Sequence, residues 1–84
     1  MELEYKMDYA IRLANPEWQP EYEDLLKLVS LVKLIEELLS RGITASPGVD
    51  AEFRRTVKAF FKASGAFRAA VETYPHVKEF IRRM

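Results

Sequence analysis

The 84-residue sequence contains no cysteine and only one histidine, His76. The absence of cysteine excludes a disulfide framework, a thiolate metal site and a cysteine nucleophile. A single histidine excludes a multi-histidine metal site within one chain. Glu36 and Glu37 do not belong to the Glu-x-x-His pairs that di-metal helical bundles use. We therefore expect the protein to bind no metal ion and no cofactor.

Glycine is scarce as well. The three glycines form neither a P-loop nor a dinucleotide-binding motif. The serines lack a nucleophile elbow and have no histidine near them in the sequence. His76 follows Tyr74-Pro75 at the start of a predicted helix, where a surface or capping role is usual. Because no group is a good candidate for a catalytic acid, base or nucleophile, we expect the protein not to be an enzyme.

A long hydrophobic run is also missing. The longest apolar-rich stretch, residues 25–39, is shorter than the roughly 20 residues that a membrane-spanning helix needs. Residues 1–14 lack the apolar core of a secretory signal. These observations predict a cytoplasmic protein that does not associate with membranes.

What the sequence does contain is typical of a small globular domain. Apolar residues make up 49% and charged residues 31% of the chain, which argues against disorder. A chain of this length forms one domain, which we place at residues 1–84. The net charge is zero, but acidic residues predominate in residues 1–25 and basic residues in residues 46–84. This asymmetry fits complementary surfaces within the fold or between subunits, an anionic partner, or solvated helix faces.

The first segment, residues 2–14, is compatible with two structures. Its apolar residues alternate with other residues: Leu3, Tyr5, Met7, Tyr9, Ile11 and Leu13. This period of two favours a half-buried strand. A lone strand needs a hydrogen-bonding partner, and no second strand pattern follows, so the partner would be the same strand of a second chain. The alternative is a first helix, because most of these residue types are good helix formers.

The rest of the chain predicts a mainly α fold, a small bundle of three to four helices. The helix at about residues 20–41 is apolar over most of its circumference, as expected for a bundle centre or a subunit contact. Its polar stripe is narrow and consists of Lys27, Ser30, Lys33, Glu37 and Arg41. Gly42 fits a left-handed cap at its C-terminus. Trp18, in the linker before this helix, is expected to pack over the core.

Two more helices are predicted in the second half of the chain. One begins near Ser46-Pro47, where the serine suits the N-cap and the proline the first helical position. Its apolar phase passes Gly65 without slipping, so we predict one long helix that ends near Tyr74. A last short helix covers about residues 75–83.

Basic residues form a row on the long helix. Arg54, Lys58 and Lys62 recur every four residues and therefore share one face. Arg55 flanks the row, and Arg68 lies further along the helix. These five residues are candidate contacts for an anion or a nucleic acid, whose binding would be salt-dependent. The zero net charge argues against this function, since nucleic-acid-binding domains are usually strongly basic.

A strand followed by two helices resembles the ribbon-helix-helix DNA-binding proteins, which dimerise through the strand. The resemblance covers residues 3–63 at most and rests on the order of the elements. It implies that the outer strand face enters the major groove of DNA. The residues of that face would be Glu4, Lys6, Asp8 and Arg12. Since two of these four are acidic and would be repelled by phosphate, we transfer no site residue from that family.

These patterns favour a non-enzymatic interaction or assembly module that forms a homodimer or binds a protein partner. The N-terminal segment and the helix at residues 20–41 would form the contact surface. Its candidate contact residues are Tyr5, Tyr9, Ile11, Leu31 and Val32. Nucleic-acid binding through the basic row is the alternative. An artificial helical protein without a natural function is a further alternative, which the clean caps at Gly42 and Ser46 favour and the mid-helix Gly65 disfavours.

Overall fold

The computed structural model describes residues 2–15, 17 and 19–84. Its helices are α1 (Glu2–Leu13), α2 (Tyr22–Ser40), α3 (Pro47–Ala63), α4 (Gly65–Val71) and α5 (Pro75–Arg83). The described part of the chain is therefore a mainly helical bundle, as predicted, but with five helices instead of three to four. The prediction that Trp18 packs over the core concerns a residue outside this description.

The N-terminal segment is a helix, so the favoured prediction of a strand that pairs across a dimer is wrong, and its helical alternative is confirmed. The buried side chains of α1 recur at intervals of three and four residues: Leu3, Met7, Ala10 and Leu13. A helix satisfies its backbone hydrogen bonds internally and needs no second chain. Because residues 2–15, 17 and 19–84 include no strand, the resemblance to ribbon-helix-helix proteins does not hold either.

The C-terminus of α2 has the predicted glycine cap. Gly42 has a φ of +84°, in the left-handed region that favours glycine. Its N–H donates to the carbonyl of Leu39 at 3.0 Å, and the N–H of Ile43 donates to the carbonyl of Leu38 at 3.2 Å. These bonds satisfy carbonyls that have no partner within α2.

The prediction of one continuous long helix is wrong, because the chain leaves the helical conformation at Ser64. Ser64 has φ −108° and ψ 108°, and its Oγ accepts a hydrogen bond from the N–H of Phe67 at 3.1 Å. The serine thus competes with the helical backbone and caps α4. On the other side of the break, Nη1 of Arg68 donates to the carbonyls of Phe61 at 2.8 Å and Lys62 at 2.7 Å.

The start of α3 and the whole of α5 agree with the sequence-based predictions. Ser46 is the N-cap residue of α3 and Pro47 its first residue. The backbone N–H of Ser46 donates to Oε1 of Glu4 at 2.8 Å, which ties α1 to the beginning of α3. Val77 and Ile81 are the buried residues of α5.

The helices pack around one apolar core. α1 contacts α2 and α3, and α4 and α5 also contact both of these helices. The largest side chains that are fully buried include Phe53, Phe67, Leu3, Met7, Leu28 and Ile35. The bundle measures 30 × 26 × 20 Å. None of the helices in the described ranges combines the length and hydropathy that a membrane span requires.

Candidate protein-interaction surface

The outward face of α2 carries exposed leucines. Leu26 and Leu34 keep 39% and 41% of their surface exposed. On the opposite face of the same helix, Leu28 and Val32 are fully buried. At about 100° per residue, Leu26, Ser30 and Leu34 fall within one stripe that points away from the core. Apolar side chains therefore face solvent in the middle of a helix whose other side anchors the core.

An open groove of about 440 Å³ runs between this stripe and α1. The residues that line it are Tyr9 on α1 and Glu23, Leu26, Lys27, Ser30, Leu31 and Leu34 on α2. Tyr9 lies at the flank of α1, because Met7 and Ala10 occupy the side that faces the core. The lining is mostly apolar, so a partner that filled the groove would remove apolar surface from water.

A second groove lies on the other side of Leu26, between α2 and α4. The small residues Ala66 and Ala69 are part of its lining. Tyr22 and Tyr74 also line it and are 66% and 44% exposed. Leu26 lines both grooves. The outward face of α2 is thus a ridge with an apolar groove on each side, which is a shape that another helix can pack against.

Charged residues lie at both ends of the ridge. Glu23 and Lys27 line the α1–α2 groove near the N-terminal end of α2. Glu37 and Arg41 line a smaller groove near the C-terminal end, together with Leu34. Each end carries one acidic and one basic residue, in the same order along the helix. A partner that covers the leucines would therefore lie beside charges of both signs.

The predicted partner contacts differ in their accessibility. Tyr9 and Leu31 come together in the α1–α2 groove. Tyr5 is 64% exposed but does not line that groove. Ile11 packs, half-buried, against the core. Val32 is 0% exposed, so its side chain cannot contact a partner while the domain is folded.

Sequence reasoning missed the leucines of the ridge. Because the helix is apolar over most of its circumference, the sequence pattern does not separate Leu26 and Leu34 from the other apolar residues of α2. The position of these leucines among the polar residues of α2 is a signal that could have identified them. Both leucines fall on the same side of the helix as Ser30 and Lys27, and an apolar residue within a polar stripe marks an exposed position.

The predicted basic row is partly engaged within the chain. Nε of Arg54 lies 2.9 Å from Oδ2 of Asp50, and its guanidinium carbon is 5.9 Å from the centroid of the Phe80 ring. Arg68 is occupied by the carbonyls at the end of α3. These arginines already have electrostatic partners, which a phosphate would have to displace.

The other members of the row are more accessible. Arg55 and Lys62 are exposed, and Lys58 is half-buried. All three belong to α3, which packs on α1, α4 and α5, whereas the leucine ridge lies on α2. The basic row and the leucine ridge are therefore separate surfaces.

His76 forms a contact between helices. Its Nε2 lies 3.0 Å from Oε2 of Glu36, which joins the start of α5 to α2. The histidine side chain is 70% exposed, whereas that of Glu36 is 16% exposed. No cluster of three or more potential metal ligands was found in the part of the chain that the structure describes.

No protein-family model, no curated protein and no solved structure matches this chain.

Proposed function

We propose that this protein is a non-enzymatic assembly module that forms a homodimer through the outward face of α2 and the α1–α2 groove. The observation that supports the proposal is the exposure of Leu26 and Leu34 on a helix that otherwise anchors the core. Covering them in a complex is favourable, at about 25 cal/mol for each Å² of apolar surface removed from water. The contact surface is thus a helix face and not a shared strand.

The surface area of the chain indicates which kind of dimer to expect. The folded chain exposes 5195 Å². A compact monomer of its mass is expected to expose about 5,200 Å², so the exposed area is that of an ordinary folded monomer. A standard interface covers about 800 Å² per partner, which is roughly 15% of this surface. We therefore expect folded monomers in equilibrium with a dimer.

The solution mass of the protein tests this proposal. Light scattering after size exclusion should show a mass that rises from 9.8 kDa towards twice that value as the protein concentration increases. Because the apolar contact is not weakened by salt, the dimer should persist at high ionic strength. A protein that stays monomeric at every concentration would contradict the proposal.

A pair of substitutions tests the surface itself. Leu34→Glu places a charge in the centre of the ridge and should keep the protein monomeric. Ile43→Glu is the matched control, because Ile43 is 39% exposed but lies beyond the end of α2. If both variants dimerise like the wild type, the ridge is not the interface. Circular dichroism confirms that each variant is folded.

Nucleic-acid binding is the second candidate function, and it uses the other surface. Arg55, Lys58 and Lys62 on α3 are the basic residues that we expect to contact phosphate. Binding of fluorescent DNA or RNA would then fall steeply as salt rises, and Lys62→Glu would weaken it. We place this function second, because Arg54 and Arg68 are engaged within the chain. The cytoplasmic location and the artificial origin stay predictions.

A further inference from the structure

We infer that the occupant of the leucine ridge is α2 of a second copy, packed antiparallel, with the two-fold axis at the level of residue 32. This inference rests on the proposed function and specifies how the two copies pair. It is carried by the order of charges along the outward face of α2. Reading along the helix, the face presents Glu23 and Lys27, then an apolar centre that also carries the exposed Lys33, and then Glu37 and Arg41.

Antiparallel pairing about residue 32 matches four of these five charges with their opposites and sets Lys33 against Leu31. In this register, position 32 + n of one copy lies opposite position 32 − n of the other. Glu23 of one copy therefore faces Arg41 of the other, and Lys27 faces Glu37. The symmetry repeats both contacts, because a two-fold interface uses the same patch on each copy.

The apolar centre fits the same register. Ser30 of one copy lies opposite Leu34 of the other, so a small side chain faces a large one. Both residues are exposed in the single chain. The grooves on either side of Leu26 leave room for the side chains of the second helix. Ridges that enter grooves in this way are the usual mode of helix packing.

Other arrangements of two copies bring like charges together. Parallel two-fold pairing sets each residue opposite itself, so that Glu23 meets Glu23 and Lys27 meets Lys27. An antiparallel shift by about one turn in one direction sets Glu23 against Glu37. A shift in the other direction sets Lys27 against Arg41. Like charges in direct opposition disfavour these arrangements, so the charges at the two ends of the face favour one orientation and one register.

A charge exchange between two variants tests the pairing. In the proposed dimer, residue 27 of each copy faces residue 37 of the other. Lys27→Glu therefore creates two contacts between glutamates, and Glu37→Lys creates two contacts between lysines. Each variant alone should dimerise roughly tenfold more weakly than the wild type at low salt. An equimolar mixture should recover the wild-type affinity, because each altered residue then meets its opposite on the other chain. Lys27 and Glu37 of one chain are about 15 Å apart along α2, so they form no ion pair with each other. The effects of the two substitutions therefore report on contacts between chains.

Lys62→Glu and Glu52→Lys provide the matched control. They make the same charge changes at exposed positions on α3, away from the ridge. Affinities are measured by sedimentation, and circular dichroism checks the fold. If the wild type dimerises but the mixture fails to recover, or the α3 variants behave like the α2 variants, the antiparallel pairing is refuted and dimerisation stands. If the wild type never dimerises, the proposed function fails and this pairing fails with it.

Discussion

The role of Arg68 can be tested by removing its guanidinium. In the structure this group donates to the carbonyls of Phe61 at 2.8 Å and Lys62 at 2.7 Å, which lie at the C-terminal end of α3. The break at Ser64 leaves these carbonyls without partners in their own helix. Arg68→Ala should therefore destabilise the domain and not merely alter its surface charge.

The expected loss of stability in Arg68→Ala depends on how exposed the Arg68 side chain is. A hydrogen bond that involves a charged group contributes about 1.5–3 kcal/mol when it is shielded from water. The Arg68 side chain is exposed, so a value near that of a cation at a helix C-terminus, about 1 kcal/mol, is more appropriate. For a domain of this size, such a loss lowers the melting temperature by roughly 4–8 °C.

Urea unfolding followed by circular dichroism measures the effect. Arg55→Ala is the matched control, because Arg55 is an exposed arginine on α3 and lies in the same predicted basic set. Its free energy of unfolding should stay within about 0.5 kcal/mol of the wild type. Equal unfolding free energies for Arg68→Ala and Arg55→Ala would refute the capping role. Arg68 would then be available to an anion, as the sequence-based prediction proposed.

Substitutions at three further positions probe the ends of the helices. Gly48→Ala should stabilise the protein by about 0.5 kcal/mol, because Gly48 lies within α3 and the added Cβ meets nothing within 4 Å. Gly42→Ala should destabilise it by about 1 kcal/mol, because the φ of +84° at Gly42 is unfavourable for alanine even though the space around it is open. The melting temperatures of the two glycine variants should therefore shift in opposite directions. Glu4→Ala should cost about 1 kcal/mol in urea unfolding, since it removes the acceptor for the N–H of Ser46, while Glu4→Gln retains an acceptor oxygen and should cost less.

The helix ends that depend on local chemistry could be predicted from the sequence. Gly42 supplies a left-handed cap, and Ser46-Pro47 supplies a start, whatever the rest of the fold does. The break at Ser64 could not be predicted in the same way. It depends on the Ser64 side chain and on the return of Arg68 to the end of α3, while the apolar phase continues as if the helix were unbroken.

The N-terminal segment shows how a pattern of large apolar residues can mislead. Leu3 and Met7 fit both a strand and a helix, and the tyrosines between them strengthened the strand pattern. Ala10 is completely buried in the structure, but it is small and was not counted as part of the apolar pattern. Its position, three residues after Met7, is the helical signal that the alternation concealed.

The candidate site could be predicted to the level of its helix and of two groove residues, Tyr9 and Leu31. The sequence identifies α2 as too apolar to be an ordinary surface helix, but it does not say which of its apolar residues face solvent. That depends on where α1, α4 and α5 lie around it. Val32 and Leu34 are two residues apart and equally apolar in the sequence, yet one is completely buried and the other is 41% exposed.

In the proposed dimer, different residues of the ridge supply the affinity and the relative orientation of the two copies. Leu26 and Leu34 are the apolar groups whose burial would hold two copies together, and this contribution grows at high salt. The charges at Lys27 and Glu37 lie near solvent, so each pair adds little affinity and salt screens it. Salt should therefore leave wild-type dimerisation nearly unchanged but reduce the difference between the single charge variants and their mixture. Binding of phosphate by the basic row of α3 would respond in the opposite way, since its affinity comes from the charges themselves.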